Sequence, residues 1–129
     1  MHVAIALETR GARVAAFDLD HRQRTMGLYL DNRSATAKRA GRELVTPRHA
    51  THDGESLARF TEPYDALSEG RAFLVIDTPG RADRFARLAA PRAATLVPPT
   101  NASSVDFDLH GPVSAVTPTG QRARAAAAL

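Results

Sequence analysis

The stretch Arg13-Val14-Ala15-Ala16-Phe17-Asp18-Leu19-Asp20 decides the predicted fold, because a short apolar run there ends in two carboxylates. A run without polar alternation is typical of a strand that is buried on both faces of a sheet. The run Phe73-Leu74-Val75-Ile76 has the same character and ends at Asp77. A third run, Ala94–Val97, stops at two prolines. We therefore predict three buried strands, two of which end in aspartate.

Helices are predicted between these strands, and the alternation indicates an α/β fold with a mostly parallel sheet flanked by helices. The predicted helices are His2–Arg10, Arg24–Arg39, Glu55–Ser68 and Ala82–Ala90. Gly11 predicts the end of the first helix, Asn32 a weak point in the second, and Pro63 a break or kink in the third. Pro91 closes the fourth helix. Gly41–Gly54 is interpreted as an exposed connection.

Length and composition exclude several classes of protein. A chain of 129 residues fits one domain, predicted at residues 1–118, and the Arg/Ala-rich tail 119–129 is predicted to be disordered. The absence of Cys excludes a disulfide scaffold, and no apolar run approaches the roughly 20 residues of a membrane-spanning helix. Without a secretion signal, we expect a cytoplasmic protein with no membrane partner. Since Ala supplies 25 of the apolar residues, we expect a marginal core.

Polar side chains follow each predicted strand at its carboxyl end, which is where open α/β sheets bind ligands. They are Asp18 and Asp20, then Asp77 and Thr78, then Thr100 and Asn101. Carboxylates at adjacent strand ends suit Mg²⁺, a hard cation that takes oxygen ligands and is completed by water and substrate phosphates. For any single aspartate, a cap that accepts hydrogen bonds from loop amides is at least as good an explanation.

The two aspartate-ended strands, taken together and in this order, are more specific than either alone. Ala15–Thr25, with its Asp-Leu-Asp-x-Arg-Gln-Arg-Thr sequence, resembles a nucleotide-site motif of the ParA/MinD superfamily of deviant P-loop ATPases. Within that superfamily it resembles the MipZ branch, the ATPases that position the bacterial division plane. Phe73–Gly80 is similar to the Walker B strand of that family, and Thr100–Asp108 to the segment after its next strand. The resemblance covers roughly residues 2–112.

The resemblance implies a site for Mg²⁺ and ATP, with roles for individual residues. Asp20 would be the catalytic residue that positions or polarises the attacking water. Asp77 would hold Mg²⁺ through water, and Asp18 would support the loop on the metal side. The residues implied to contact the nucleotide follow the second and third strands: Thr78 and Gly80 near the γ-phosphate, and Pro99 and Asn101 near the adenine. The family also implies a homodimer that acts on a tubulin-like division protein and a DNA-partitioning protein.

The phosphate-binding loop of that family has no counterpart in these 129 residues. Its Lys-Gly-Gly-x-Gly-Lys-[Ser/Thr] motif cradles phosphates with backbone N–H groups and lysines, whereas the only lysine here is Lys38. Met1–Leu7 resembles the helix that follows that loop. We therefore interpret the chain as an N-terminally truncated member, with a partial P-loop NTPase fold that lacks the first strand, and predict that it is inactive alone. The alternative is a non-catalytic remnant or binding module that keeps a partner or DNA-contact surface without ATP turnover.

Two further groups of residues have both a functional and a structural interpretation. Arg81, Arg84 and Arg87 recur along one side of the fourth helix, where they could contact DNA phosphates without sequence preference or form a solvated basic face. The net charge of +3 gives only a mild bias towards polyanions. His49 and His52 lack a third ligand at a spacing typical of zinc sites, so a flexible polar loop explains them better.

Overall fold

The computed structural model describes residues 1–54, 56, 58–80, 83–97, 113–116 and 122–124. The chain forms two compact units, Met1–Phe85 and Ala86–Leu129. A three-stranded sheet and its helices build the first unit, and a two-stranded pair lies in the second. The domain boundary at residue 118 stays a prediction.

Helices and strands alternate along the chain from residue 2 to residue 89, and two further strands follow. The elements are α1 (His2–Thr9), β1 (Val14–Asp18), α2 (Thr25–Ala40), β2 (Arg48–Thr51), α3 (Ala58–Ser68), β3 (Phe73–Asp77), α4 (Arg84–Ala89), β4 (Val113–Val116) and β5 (Arg122–Arg124). A short 3-10 turn, Ala90–Arg92, follows α4. This order confirms the α/β class that the sequence predicts.

The sheet of the first unit is parallel, with the strand order β2-β1-β3. β1 lies in the centre and all five of its residues are buried, as its apolar run predicts. β3 is an edge strand among the described strands, and the side chains at its two ends, Phe73 and Asp77, are exposed. The prediction that each strand is buried on both faces is therefore right for β1 and wrong for β3.

The helices continue past two residues that were expected to interrupt them. α1 ends before Gly11, whose φ of +87° belongs to the left-handed region that glycine adopts after a helix. α2 passes through Asn32 without a break, because it packs on both β1 and β2. α3 passes through Pro63, which removes one backbone donor, while buried Phe60 and Leu67 hold the helix on either side.

The strand prediction is wrong for two segments: one strand was missed, and one predicted strand does not form. Gly41–Gly54, predicted as an exposed connection, contains β2, whose residues Arg48–Thr51 pair with Ala15–Asp18 of β1. The sequence of β2 has no apolar run, and main-chain hydrogen bonds to β1 define the strand instead. Ala94–Val97, predicted as the third strand, pairs with no strand in the part of the chain that the structure describes, and Val97 is 72% exposed. A strand needs a hydrogen-bonded neighbour, which an apolar run does not supply by itself.

The second unit contains little regular structure that the sequence predicts. β4 and β5 are antiparallel, with an irregular register between Val113 and Ala115. Three residues of the tail that is predicted to be disordered form β5. Pro91 lies in the 3-10 turn just after α4, in keeping with its predicted role as a helix stop. Among the described residues, no helix is both long and apolar enough to cross a membrane.

The core of the first unit lies on both faces of β1, because successive side chains of a strand point to opposite sides. On one face, Ala16 packs with Met26 and Leu30 of α2. On the other face, Phe17 stacks on Phe60 of α3, with 5.9 Å between the ring centroids. The carboxyl end of β1 is therefore held between two packed layers.

The two histidines of the predicted polar loop lie in ordered structure, so that prediction is wrong. His49 is on β2, and its Nε2 lies 3.0 Å from Oδ1 of Asp31 on α2. His52 follows β2 and is buried, with its ring centroid 4.1 Å from that of Phe85. A buried imidazole needs a partner for its nitrogens, and Nδ1 of His52 accepts the N–H of Gly54 at 2.7 Å.

Candidate functional site

Three aspartates meet at the carboxyl edge of the sheet. β1 and β3 run parallel in a register that places Asp18 opposite Asp77, and the N–H of Leu19 donates to the main-chain oxygen of Asp77 at 2.8 Å. Asp20 stands two residues beyond the end of β1. The structure thus brings the predicted residues Asp18, Asp20 and Asp77 to one edge.

Asp18 is fully buried and holds the loop that follows it. Its Oδ1 accepts the N–H of Asp20 at 2.9 Å, and its Oδ2 accepts the N–H of Gly27 at 2.9 Å. The carboxylate therefore joins the end of β1 to the first turn of α2. This geometry favours loop support over direct metal coordination for Asp18.

Gly27 allows α2 to approach the sheet at this point. A Cβ at residue 27 would lie 2.2 Å from Oγ1 of Thr51 and 3.7 Å from Oδ2 of Asp18. Even an alanine here would force Oγ1 of Thr51 to move, and a larger side chain would crowd the space between α2 and β2. The sequence analysis missed Gly27 and Thr51, although a glycine in the first turn of a helix is a signal of close approach.

Asp20 organises a tight turn that leads into α2. Its Oδ1 accepts the N–H groups of Arg22 and Gln23 at 3.3 and 3.2 Å. Its main-chain oxygen accepts the N–H of Arg24 at 2.7 Å. Arg24 has a left-handed backbone, with φ of +53°, which costs about 1 kcal/mol or more in a residue with a side chain. The turn is therefore held in place by the bonds around Asp20.

The charge of Asp77 is disfavoured where it stands. Partial burial raises the pKa of Asp77 above its usual range, and the neighbouring carboxylates of Asp18 and then Asp20 raise it further. The Met1 ammonium and a hydrogen bond from the Thr78 N–H act in the opposite direction and lower the pKa. A cation placed among these carboxylates would relieve their mutual repulsion.

The oxygen donors at this edge fit a magnesium ion that is bound through water. Mg²⁺ keeps several of its waters and needs only one or two carboxylates. Asp77 is exposed and Asp20 is half-buried, so both can reach such a water shell. Among the described residues, no group of three His, Asp or Glu forms a metal site by itself. Substrate phosphates would have to complete the coordination.

The other predicted site residues lie in several places. Thr78 and Gly80 are exposed just beyond β3. Pro99, Asn101 and Arg81, as well as Thr100, lie outside the described residues.

The predicted basic face on α4 is not uniform. Arg84 donates from Nη2 to the main-chain oxygen of Gly54 at 3.0 Å, and its guanidinium lies 4.5 Å from the centroid of the Phe85 ring. Arg87 is exposed. Of these two arginines, only Arg84 is tied to the neighbouring loop by a bond that the structure gives.

Asp77→Asn is expected to stabilise the protein at neutral pH and to raise Tm by a few degrees. Folded Asp77 binds its proton more tightly than the unfolded chain does, because its pKa is raised above 3.8. Stability therefore falls as the pH rises from about 3.8 through the raised value. Melting curves of both proteins from about pH 4 to 7 should show a gap that opens with pH.

Asp65→Asn, at an exposed position on α3, is the matched control for replacing a carboxylate with an amide away from this edge of the sheet. A loss of stability in Asp77→Asn at neutral pH would contradict the arrangement of charges described above.

A family model described as ATPase MipZ matches residues 1–128. No curated protein matches the sequence significantly. The family match spans both aspartate-ended strands and nearly all of the chain, and it agrees with the parallel α/β arrangement of β1, β2 and β3. Because the family model matches almost the whole length of the chain, the chain belongs to the MipZ family of ATPases.

Proposed function

We propose that these residues are part of an ATPase that works as an ATP-driven dimerisation switch and regulates where a bacterial cell divides, and that they are inactive alone. Its partners in the cytoplasm would be a second copy of the chain, a tubulin-like division protein and a DNA-partitioning protein. The juxtaposition of Asp18, Asp20 and Asp77 at one sheet edge carries the proposal, because ATP hydrolysis needs a metal-side carboxylate and a group that positions water.

Each of the three aspartates has a separate role in the proposed reaction. Bound Mg²⁺ would neutralise charge on the phosphates as the bond to the γ-phosphate breaks. Asp77 would hold the ion through its bound water, and Asp20 would accept a hydrogen bond from the attacking water and so orient it. Asp18 keeps the turn of Asp20 fixed through its bond to the Asp20 N–H. Thr78 and Gly80 follow β3 at the same edge, where contacts to the γ-phosphate would be made.

The 129-residue polypeptide is expected to show no ATPase activity above a blank and no tight ATP binding. Clustered carboxylates repel a triphosphate, and these 129 residues contain no glycine-rich lysine loop to offset that repulsion. An N-terminal extension that adds a strand and a Lys-Gly-Gly-x-Gly-Lys-Thr loop before Met1 should restore Mg²⁺-dependent turnover. Both polypeptides would be compared by phosphate release and by titration with ATP.

Asp20→Asn in the extended chain is the control for mechanism. It should abolish turnover but retain ATP binding, because Asp20 acts on the attacking water rather than on the nucleotide. Micromolar ATP affinity with Mg²⁺-dependent turnover in the 129-residue chain would overturn the expectation of inactivity. An extended chain that binds no ATP would count against the proposed switch itself and favour a non-catalytic binding module.

A further inference from the structure

The turn that carries Asp20 is packed against a glycine from the loop after β2. Gly54 has a φ of +83°, and a Cβ at this residue would lie 2.6 to 2.9 Å from three atoms of the His21 ring. Such distances are shorter than any real Cβ contact, so the imidazole rests directly on the backbone of Gly54. A larger residue at position 54 would displace His21, the residue that follows Asp20.

Gly54 is itself fixed from two sides. Its N–H donates to Nδ1 of His52 at 2.7 Å, and its oxygen accepts from Nη2 of Arg84 at 3.0 Å. His52 is buried against Phe85, so the aromatic core holds its ring in place. Arg84 is the first residue of α4, which comes after the segment that carries Thr78 and Gly80. The position of Gly54 is therefore set by the aromatic core and by α4.

The contact between His21 and Gly54 lies next to Asp20 in the chain and can therefore affect the position of its carboxylate. Asp20 and His21 are adjacent, and the same turn is closed by the bond from the Arg24 N–H to the Asp20 oxygen. Oδ1 of Asp20 is held by amides of this turn. Since the turn includes a left-handed residue, it needs outside contacts to stay in that conformation.

We propose that Gly54 and Arg84 are positioning residues for Asp20: Arg84 holds Gly54 in place, and Gly54 holds the His21 side of the Asp20 turn. The inference rests on the proposed function for the role of Asp20. The contacts that place the turn can be tested without catalysis. The two contacts connect Arg84 through Gly54 to the turn that carries Asp20. Neither residue touches the reacting atoms.

Arg84→Ala in the full 129-residue chain tests the first contact without nucleotide. Amide hydrogen exchange of Arg24 is expected to increase roughly three- to tenfold, the change that the loss of one ordinary hydrogen bond gives. Exchange of the Ala16 amide in β1 should stay the same. Arg84→Lys should restore part of the protection, because an ammonium group can still donate to the Gly54 oxygen.

Arg87→Ala is the matched control on the same helix and should leave the Arg24 amide unchanged. Equal effects of Arg84→Ala and Arg87→Ala would overturn the inference. An increase of the same size at Ala16 would also overturn it, because that result reports global destabilisation instead of a local contact.

Gly54→Ala tests the second contact in the same way. It should shift the amide NMR signals of Arg22, Gln23 and Arg24, whereas in a His21→Ala background it should shift them much less. Equal shifts in both backgrounds would contradict the contact. Since these signals need neither ATP nor Mg²⁺, failure of this inference leaves the proposed function intact, and an inactive extended chain leaves this inference intact.

Discussion

Asp18→Asn is expected to lower the free energy of unfolding by about 2–4 kcal/mol, even without Mg²⁺ or nucleotide. Both oxygens of the buried carboxylate accept backbone N–H groups, from Asp20 and from Gly27. An asparagine has one acceptor oxygen, so one of these N–H groups would face an amide nitrogen that also donates. Urea unfolding of both proteins, with and without Mg²⁺, measures the loss.

Replacing Asp18 and replacing Asp77, its neighbour on β3, are expected to change stability in opposite directions. Asp77→Asn removes a repelled charge and is expected to stabilise, whereas Asp18→Asn removes an acceptor and destabilises. A neutral or stabilising result for Asp18→Asn would mean that the carboxylate is not needed by the loop. In that case direct metal coordination would again be the better explanation for a buried aspartate at this strand end.

The sequence predicted the parts of the fold that depend on apolar runs. β1 and β3 were predicted from their apolar runs, and the parallel arrangement brings the aspartates at their ends, Asp18 and Asp77, together. β2 was missed because its residues, Arg48–Thr51, are mostly polar and its pairing with β1 depends on main-chain bonds. Ala94–Val97 was wrongly predicted as a strand because it is an apolar run, although it pairs with no strand in the described part of the chain.

The charged residues of the candidate site were predicted from the sequence, whereas the contacts that hold them in place were not. The strand ends identified Asp18, Asp20 and Asp77 as candidates, and the resemblance to a family implied their roles. The structure places all three at one edge. The close approach of Gly27 to Thr51 and the packing of His21 on Gly54 depend on how distant segments meet. A single sequence carries no local signal for such contacts, apart from the glycines themselves.

Phe17→Ala is expected to lower the free energy of unfolding by about 3–5 kcal/mol, which is a large part of the total for a domain of this size. Phe17 is buried on the central strand β1 and stacks on Phe60, and its ring centroid lies 6.2 Å from that of His52. Because many of the apolar residues are alanines, few other side chains can fill the cavity. Urea unfolding should therefore show a midpoint at a clearly lower urea concentration for the variant than for the parent protein.

Phe73→Ala is the matched control on the same sheet. Phe73 begins the edge strand β3 and is 48% exposed, so its truncation should cost less than about 1 kcal/mol. Equal losses from the two variants would show that β1 is not the centre of the core. The difference bears on function, because Phe17 precedes Asp18 and packs beside His52, the residues that hold the Asp20 turn and Gly54. A chain that loses Phe17 should therefore lose the order of both loops together with its stability.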